Sequence, residues 1–217
     1  MNRGFFSLFL ALLLGLILGC SRSASGVRIE GNCLVVEGEF WRADYEVFVR
    51  EFDRHPELKC LELRDSPGGS TMAALLMGEK VQQRGMKTVA RGACLSACAI
   101  VFLGGQPREL GPAYRGQKTF LLLHGSYERE RQQIDPALSS AVASWLASRS
   151  GGALPPALIA AATQAPGPGG GLYVRAGQEA GAVTFCAESP RADTVASVCR
   201  PVAGATAASL GLVSAQP

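Results

Sequence analysis

The sequence predicts an α/β protein built on a largely parallel sheet, and three observations predict it. Between residues 32 and 103, strand-length apolar runs alternate with longer segments of helical apolar spacing, in the order strand, helix, strand, helix, strand, helix. Such alternation argues for parallel strands joined by crossover helices. Residues 61–70, LELRDSPGGS, form an alternating apolar run that ends in Pro67-Gly68-Gly69 and feeds directly into a helical pattern, which reads as strand, tight turn, helix. The 217 residues, 47% hydrophobic and 18% charged, can bury the core of one globular domain.

The elements follow in order. Residues 1–20 carry one basic residue, Arg3, an apolar run over 5–18, and then Ile17-Leu18-Gly19-Cys20, which reads as an export signal. Gly19 before Cys20, with Ser21 and Arg22 after it, resembles a bacterial lipobox. That resemblance implies removal of residues 1–19 and acylation of Cys20, including a palmitate-type chain; an ordinary cleaved signal and an uncleaved anchor are the alternatives. Residues 20–31 then form a lipidated cysteine and tether. Residues 32–40, NCLVVEGEF, read as strand and turn, and 42–54 carry Tyr45, Phe48, Val49 and Phe52 at helical spacing. A strand is expected over 59–63, and a helix over 71–84 with Met72, Leu75, Leu76 and Val81 on one face, stopped by Gly85. A short strand is expected over 87–90 and a buried helix after Ser96. Residues 106–118 read as a loop or short edge strand, and 119–123 as a strand. The cluster Glu128 to Arg131 reads as the solvated start of the following helix, which Leu138, Val142, Trp145 and Leu146 place over 135–149 with Trp145 in the core, and 155–162 reads as a further helix. Residues 166–171, PGPGGG, break the chain. Short strands follow at 172–174 and 182–185, and the alanine-rich tail 187–217 is expected to be partly disordered. The domain is therefore placed at 32–186, with no internal repeat.

Three segments carry candidate chemistry. Ser96, in RGACLSACAIVFLGG, lies between a polar entry and an apolar helix, with small Ala93, Ala97 and Ala99 around it. A serine there reads either as a helix cap or as a nucleophile. Gly68 and Gly69 permit positive φ and can aim backbone N–H groups at a developing oxyanion. His124, in TFLLLHGSY, closes a strand; His55 lies in the polar turn DRHPE, which leaves His124 as the candidate base. Ligands of parallel sheets collect at the carboxyl ends of the strands, where all three segments fall, and this convergence favours catalysis.

On these residues the chain resembles the Clp protease and crotonase superfamily, over residues 34–185 or so. Ser66-Pro67-Gly68-Gly69 is similar to the oxyanion loop of its Clp-type serine peptidases, Ser96 to the nucleophile and His124 to the base, in the family's order. The resemblance implies a ClpP/crotonase-like fold of repeated β-β-α units and acyl transfer to water. His124 would deprotonate Ser96, and the N–H groups of Gly68 or Gly69 and of Ala97 would hold the oxyanion. The family's third residue, an acid before the late strand, has no counterpart in PGPGGGLY at 166–173. Asp135, a backbone carbonyl and Tyr173 are the alternatives for orienting the imidazole. A serine–lysine dyad is disfavoured, since Lys118 alone stands close to the histidine strand.

Composition limits the remaining classes. Cleavage before Cys20 removes one of 21 basic residues and none of 18 acidic ones, leaving a balanced surface without the basic, aromatic-rich runs of a nucleic-acid binder. With Cys20 acylated, six cysteines remain: Cys33, Cys60, Cys94, Cys98, Cys186 and Cys199. An even count in an oxidising compartment suggests disulfides, and six allow 15 connectivities. Cys186 with Cys199 is the preferred pair; Cys33 and Cys60 sit in neighbouring predicted strands; Cys94 and Cys98 flank Ser96 as a bridge or as free thiols. No metal-ligand spacing is present and no cofactor is expected; coenzyme A chemistry is disfavoured by the compartment. The expectation is a periplasmic, lipid-anchored hydrolase of peptides or exported proteins. The lack of a retention aspartate after Cys20 points to the outer membrane. A noncatalytic envelope-binding lipoprotein and a ring-forming assembly protein are the alternative classes.

Overall fold

The structure is a computed structural model that describes residues 26–128, 130, 132–176, 183–191 and 194–214. Cys20 and the export signal lie outside the described residues. The expected fold class is found: helices pack on one face of a mixed, nine-stranded sheet ordered β1-β2-β3-β4-β6-β7-β8-β9, with β5 also paired to β4. The strands are β1 (Gly26–Glu30), β2 (Cys33–Glu37), β3 (Cys60–Ser66), β4 (Lys87–Leu95), β5 (Arg108–Leu110), β6 (Phe120–Leu123), β7 (Gly171–Arg175), β8 (Val183–Cys186) and β9 (Cys199–Pro201). The centre, β2 through β6, is parallel, and β1 and β7 to β9 add antiparallel margins.

The helices are α1 (Arg42–Arg54), α2 (Thr71–Arg84), α3 (Ala97–Leu103), α4 (Pro136–Arg149), α5 (Pro156–Thr163) and α6 (Val195–Val198). Their apolar faces explain their place. In α1, Phe48 and Phe52 stand four apart and are buried; in α2, Ala73, Ala74, Met77 and Val81 are. Every residue of α3 is buried, as expected of a helix enclosed on all sides. Its entry is permitted by Gly78 and Gly104, whose backbones meet so closely that a β-carbon on Gly104 would fall 2.8 Å from the Gly78 Cα. Trp145 closes this layer from α4, with its indole Nε1–H donating to the Ile100 carbonyl at 3.0 Å.

The sheet alternates as a half-covered strand system should. In β4, Thr88, Ala90, Gly92 and Cys94 are buried under the helices, and the intervening residues are partly exposed. On that outer face Arg64 bridges Glu30 and Glu62, at 2.7 and 2.6 Å, and Arg91 also reaches Glu62 at 3.1 Å. Over β1 to β4 the sheet thereby presents paired charge, whereas over β6 to β9 Leu122, Tyr173 and the Cys186–Cys199 bridge form a small second apolar cluster.

Four expectations change. The segment expected as a tether over 20–31 includes a strand, because β1 starts at Gly26 and pairs with β2; only Val27 of β1 packs against the core and Ile29 is exposed, which is too little apolar pattern to signal a strand. β4 runs on to Leu95 instead of stopping at 90, carried past a register shift between Arg64 and Ser66. The Glu128 to Arg131 cluster does not open a helix: Tyr127 bridges Ile134, and α4 begins at Pro136 with Asp135 as its cap, accepting from the Leu138 N–H at 2.9 Å. Residues 129 and 131 of that cluster lie outside the description. The tail packs where described: β9 pairs with β8, and Ala207, Leu210 and Leu212 join the core. All three cysteine pairs are disulfides: Cys33–Cys60 across β2 and β3, Cys94–Cys98 around Ser96, and Cys186–Cys199 across β8 and β9.

Candidate active site

Strand register brings the three candidate segments together. Ser66 lies opposite Cys94, and Leu95 opposite Leu122, so the residues after β3, β4 and β6 emerge side by side on one rim. There Gly68, Gly69, Ser96 and His124 line one cleft of about 1090 Å³, with Trp41, Met72, Ser126, Tyr127 and Leu138 among its walls.

Ser96 sits at the strand-to-helix turn with φ 56 and ψ −121, a region that a residue with a β-carbon adopts only under strain. Its N–H donates to the Leu122 carbonyl at 2.9 Å, its carbonyl accepts the Ile100 N–H at 3.2 Å, and the Cys94–Cys98 bridge spans it. The side chain makes no capping hydrogen bond. Of the two readings a helix-terminal serine allowed, the cap is therefore not the one realised. The residue lines the cleft.

The glycine turn packs directly on this serine. A β-carbon on Gly68 would meet the Leu95 carbonyl oxygen at 2.7 Å, Ser96 Cβ at 2.9 Å and the Ala97 nitrogen at 3.0 Å, and φ is +102 there and +148 at Gly69. No other residue type fits that space and conformation. Gly69 forms a parallel bridge with Phe40 through the flanking groups: the Phe40 N–H donates to the Gly68 carbonyl and the Ser70 N–H to the Phe40 carbonyl, each at 3.0 Å. The Gly69 N–H consequently points away from Phe40. The Gly68 N–H donates to Ser66 Oγ at 3.3 Å. The Ala97 N–H, in the first residue of α3, has no acceptor within the helix.

His124 is buried, 6% exposed. Its Nδ1 lies 2.6 Å from the carbonyl oxygen of Gly125. A carbonyl only accepts, so Nδ1 carries the proton and Nε2 keeps its lone pair, the tautomer a general base needs. Burial pushes the imidazole pKa down to about 4, the Gly125 bond opposing it in part. The histidine is thus neutral throughout the physiological range. The loop after it is pinned by neutral bonds: Ser139 Oγ accepts the Ser126 N–H at 2.9 Å, Thr71 and Ser126 share a hydroxyl bond at 3.0 Å, and the Tyr127 hydroxyl donates to the Ala165 carbonyl at 2.6 Å. The Tyr127 ring stands 5.2 Å from the imidazole, centroid to centroid.

Among the described residues no carboxylate pairs with His124. Asp135 caps α4, and the Tyr173 hydroxyl donates to the Gly169 carbonyl at 2.8 Å, so both are occupied elsewhere. Of the three alternatives left open by the sequence, the geometry selects the backbone carbonyl. Sequence reasoning missed Ser66 and Gly125 as specific partners: a backbone carbonyl has no side-chain signature, and the hydroxyl of Ser66 acts only once the turn has closed on it. Lys118 does not line this cleft but a neighbouring groove, with Phe120 and Arg175, that shares Leu95 and Leu122 with it. Among the described residues no cluster could hold a metal ion, and no helix is long and apolar enough to cross a membrane.

No family model and no curated protein matches this sequence. Solved structures do match it. ClpP1 from Listeria monocytogenes superposes with a TM-score of 0.50 at 12% identity, over 84% of this chain and 88% of that one. A membrane-bound stomatin-specific protease gives a TM-score of 0.45 at 13% identity over 59% of this chain and 67% of that one. The ClpP protease catalytic domain from Plasmodium falciparum gives 0.45 at 12% identity, over 61% and 72%. Identities this low speak to architecture alone, and the superposition spanning most of both chains joins the sheet order and crossover helices in one conclusion: this chain has a ClpP-like fold.

Proposed function

We propose that this protein is a serine peptidase of the cell envelope, exported and held by an acyl anchor on Cys20, which cuts peptides or unfolded exported proteins with a Ser96–His124 dyad. Nε2 of His124 takes the Ser96 proton as Oγ attacks the scissile carbonyl. The resulting oxyanion is held by the N–H groups of Ala97 and Gly69, since the Gly68 N–H is engaged by Ser66. The imidazolium then gives its proton to the leaving amine, and water repeats the sequence to release the acyl group. The Gly125 carbonyl holds the ring in the required tautomer, where a triad uses an aspartate.

The observation that carries this reading is the pairing of an uncapped serine at φ 56 with a neutral, Nδ1-protonated histidine on the same cleft. A purely structural serine at a helix start needs neither the strain nor the adjacent glycine pair. The test is hydrolysis of an unfolded, fluorophore-quenched protein by the wild type, Ser96→Ala and His124→Ala. Hydrolysis by the wild type that is lost in both variants is the expected result. Hydrolysis that survives Ser96→Ala overturns the assignment.

A further inference from the structure

We infer that the cleft side of the molecule is seated on the lipid bilayer through a rim formed by Trp41, Met72 and Leu76, so that the chains it cuts are those lying at the membrane surface. This rests on the lipid-anchored peptidase reading above and names where its substrates come from.

The first support is the length and origin of the tether. β1 begins at Gly26, opposite Glu37 at the end of β2. The chain continues from Glu37 into Gly38, Glu39, Trp41 and Arg42, all of which line the cleft. The anchor therefore leaves the body beside the cleft mouth. Only residues 21–25 separate Cys20 from Gly26, and those six steps span at most about 20 Å. A domain of this size has a radius of gyration of roughly 16 Å and so a diameter of about 40 Å. So short a tether cannot let the far side of the body turn towards the bilayer. The half that carries Gly26, and the cleft mouth with it, faces the lipid.

The second support is the chemistry of that rim. Among the described residues three large apolar side chains are exposed: Met72 at 53%, Leu76 at 38% and Ile29 at 39%. Met72 lines the cleft, and Leu76 follows it one helical turn along the same stripe of α2. Ile29 lies towards the other end of β1 and takes no part. At the mouth stand the half-buried indole of Trp41, whose Nε1–H donates to Glu39 Oε2 at 3.0 Å, and the Arg42 side chain, 94% exposed and 3.9 Å from the Glu46 carboxylate. An indole and a long cation beside two apolar side chains suit the headgroup layer, where amphipathic side chains place their apolar bodies in lipid and their polar ends in water. The area is too small to bind a membrane alone, but a surface already tethered there engages it at high effective concentration.

The test uses the full-length, lipidated protein reconstituted into phosphatidylcholine vesicles with either brominated or unbrominated acyl chains. The chain has two tryptophans, Trp41 and Trp145, so Trp145→Phe isolates the emission of Trp41 and Trp41→Phe that of Trp145. Brominated lipid should quench Trp41 and leave Trp145 bright, and Met72→Glu with Leu76→Glu should abolish the quenching in protein that still floats with the vesicles. If Trp145→Phe does not fold, the difference between wild type and Trp41→Phe gives the Trp41 emission. An unquenched Trp41 in floating protein, including protein whose α2 surface crosslinks to a second copy instead, overturns the inference while leaving the anchor intact. Protein that neither floats nor carries acyl mass on Cys20 overturns the anchor reading and the inference with it.

Discussion

Replacing Ser96 by glycine should make the protein more stable than replacing it by alanine, the reverse of the usual order. At φ 56 and ψ −121 the β-carbon of any L-residue is strained, at a cost of about 1–3 kcal/mol. Ser96→Ala keeps that β-carbon and therefore the strain; Ser96→Gly releases it. Glycine's greater freedom in the unfolded chain offsets about 0.5–1 kcal/mol of the gain. The Gly variant should then exceed the Ala variant by up to about 2.5 kcal/mol, whereas alanine is favoured by roughly 1 kcal/mol at an ordinary helical position. Urea unfolding of the oxidised proteins, compared at equal m-value, measures the difference. An Ala variant at least as stable as the Gly variant would refute the claim that the turn holds Ser96 in a strained, functional conformation.

Four other expectations follow from the same geometry. The neutral form of His124 is the base, so the acid limb of serine reactivity should fall near pH 4, not near the ordinary histidine value of about 6.5. The unfolded chain takes up that proton between about 6.5 and 4 and the native one does not, so stability should decline over this window by about 3 kcal/mol, with no contribution above it; urea midpoints of wild type against His124→Gln measure it. Asp135→Asn should leave serine reactivity within a few-fold of wild type, since asparagine caps a helix as well as aspartate does; a loss near the ~10⁴-fold seen when a triad aspartate is neutralised would make Asp135 the orienting acid instead. Removing the Cys94–Cys98 bridge with the double alanine variant should cost about 2 kcal/mol by loop entropy and lower serine reactivity by more than that stability loss explains, because the bridge closes over Ser96. Unchanged reactivity of the folded variant would show that the turn holds without it.

Much of this architecture was legible because its signals are local. The turn at Pro67-Gly68-Gly69, the small residues around Ser96 and the apolar run into His124 each mark a strand end, and parallel register places successive strand ends on one rim. What escaped depends on contacts between distant segments or on backbone groups. β1 has only Val27 to pack against the core and is fixed by pairing with β2, supported by the Arg28–Glu37 ion pair at 2.9 Å. The tail gains its order from the Cys186–Cys199 bridge and from burying Ala207, Leu210 and Leu212, none of which an alanine-rich composition announces. For the orienting group of His124 the sequence leaves Asp135, Tyr173 and a backbone carbonyl open, and only the folded turn shows which carbonyl it is, that of Gly125. Which glycine N–H is already engaged within the turn depends on one hydroxyl, that of Ser66, which accepts from Gly68.

The central claim is that Ser96 is an activated nucleophile with His124 as its base. A fluorophosphonate probe reacts with such a serine and leaves ordinary hydroxyls alone, so labelling of the oxidised full-length protein, with the adduct located by peptide mapping, tests it most directly. The account predicts one adduct per chain, on Ser96, abolished in His124→Ala and slowed as the pH falls through about 4. A folded, oxidised wild type that takes no label, or takes it at a rate that His124→Ala does not change, would contradict it.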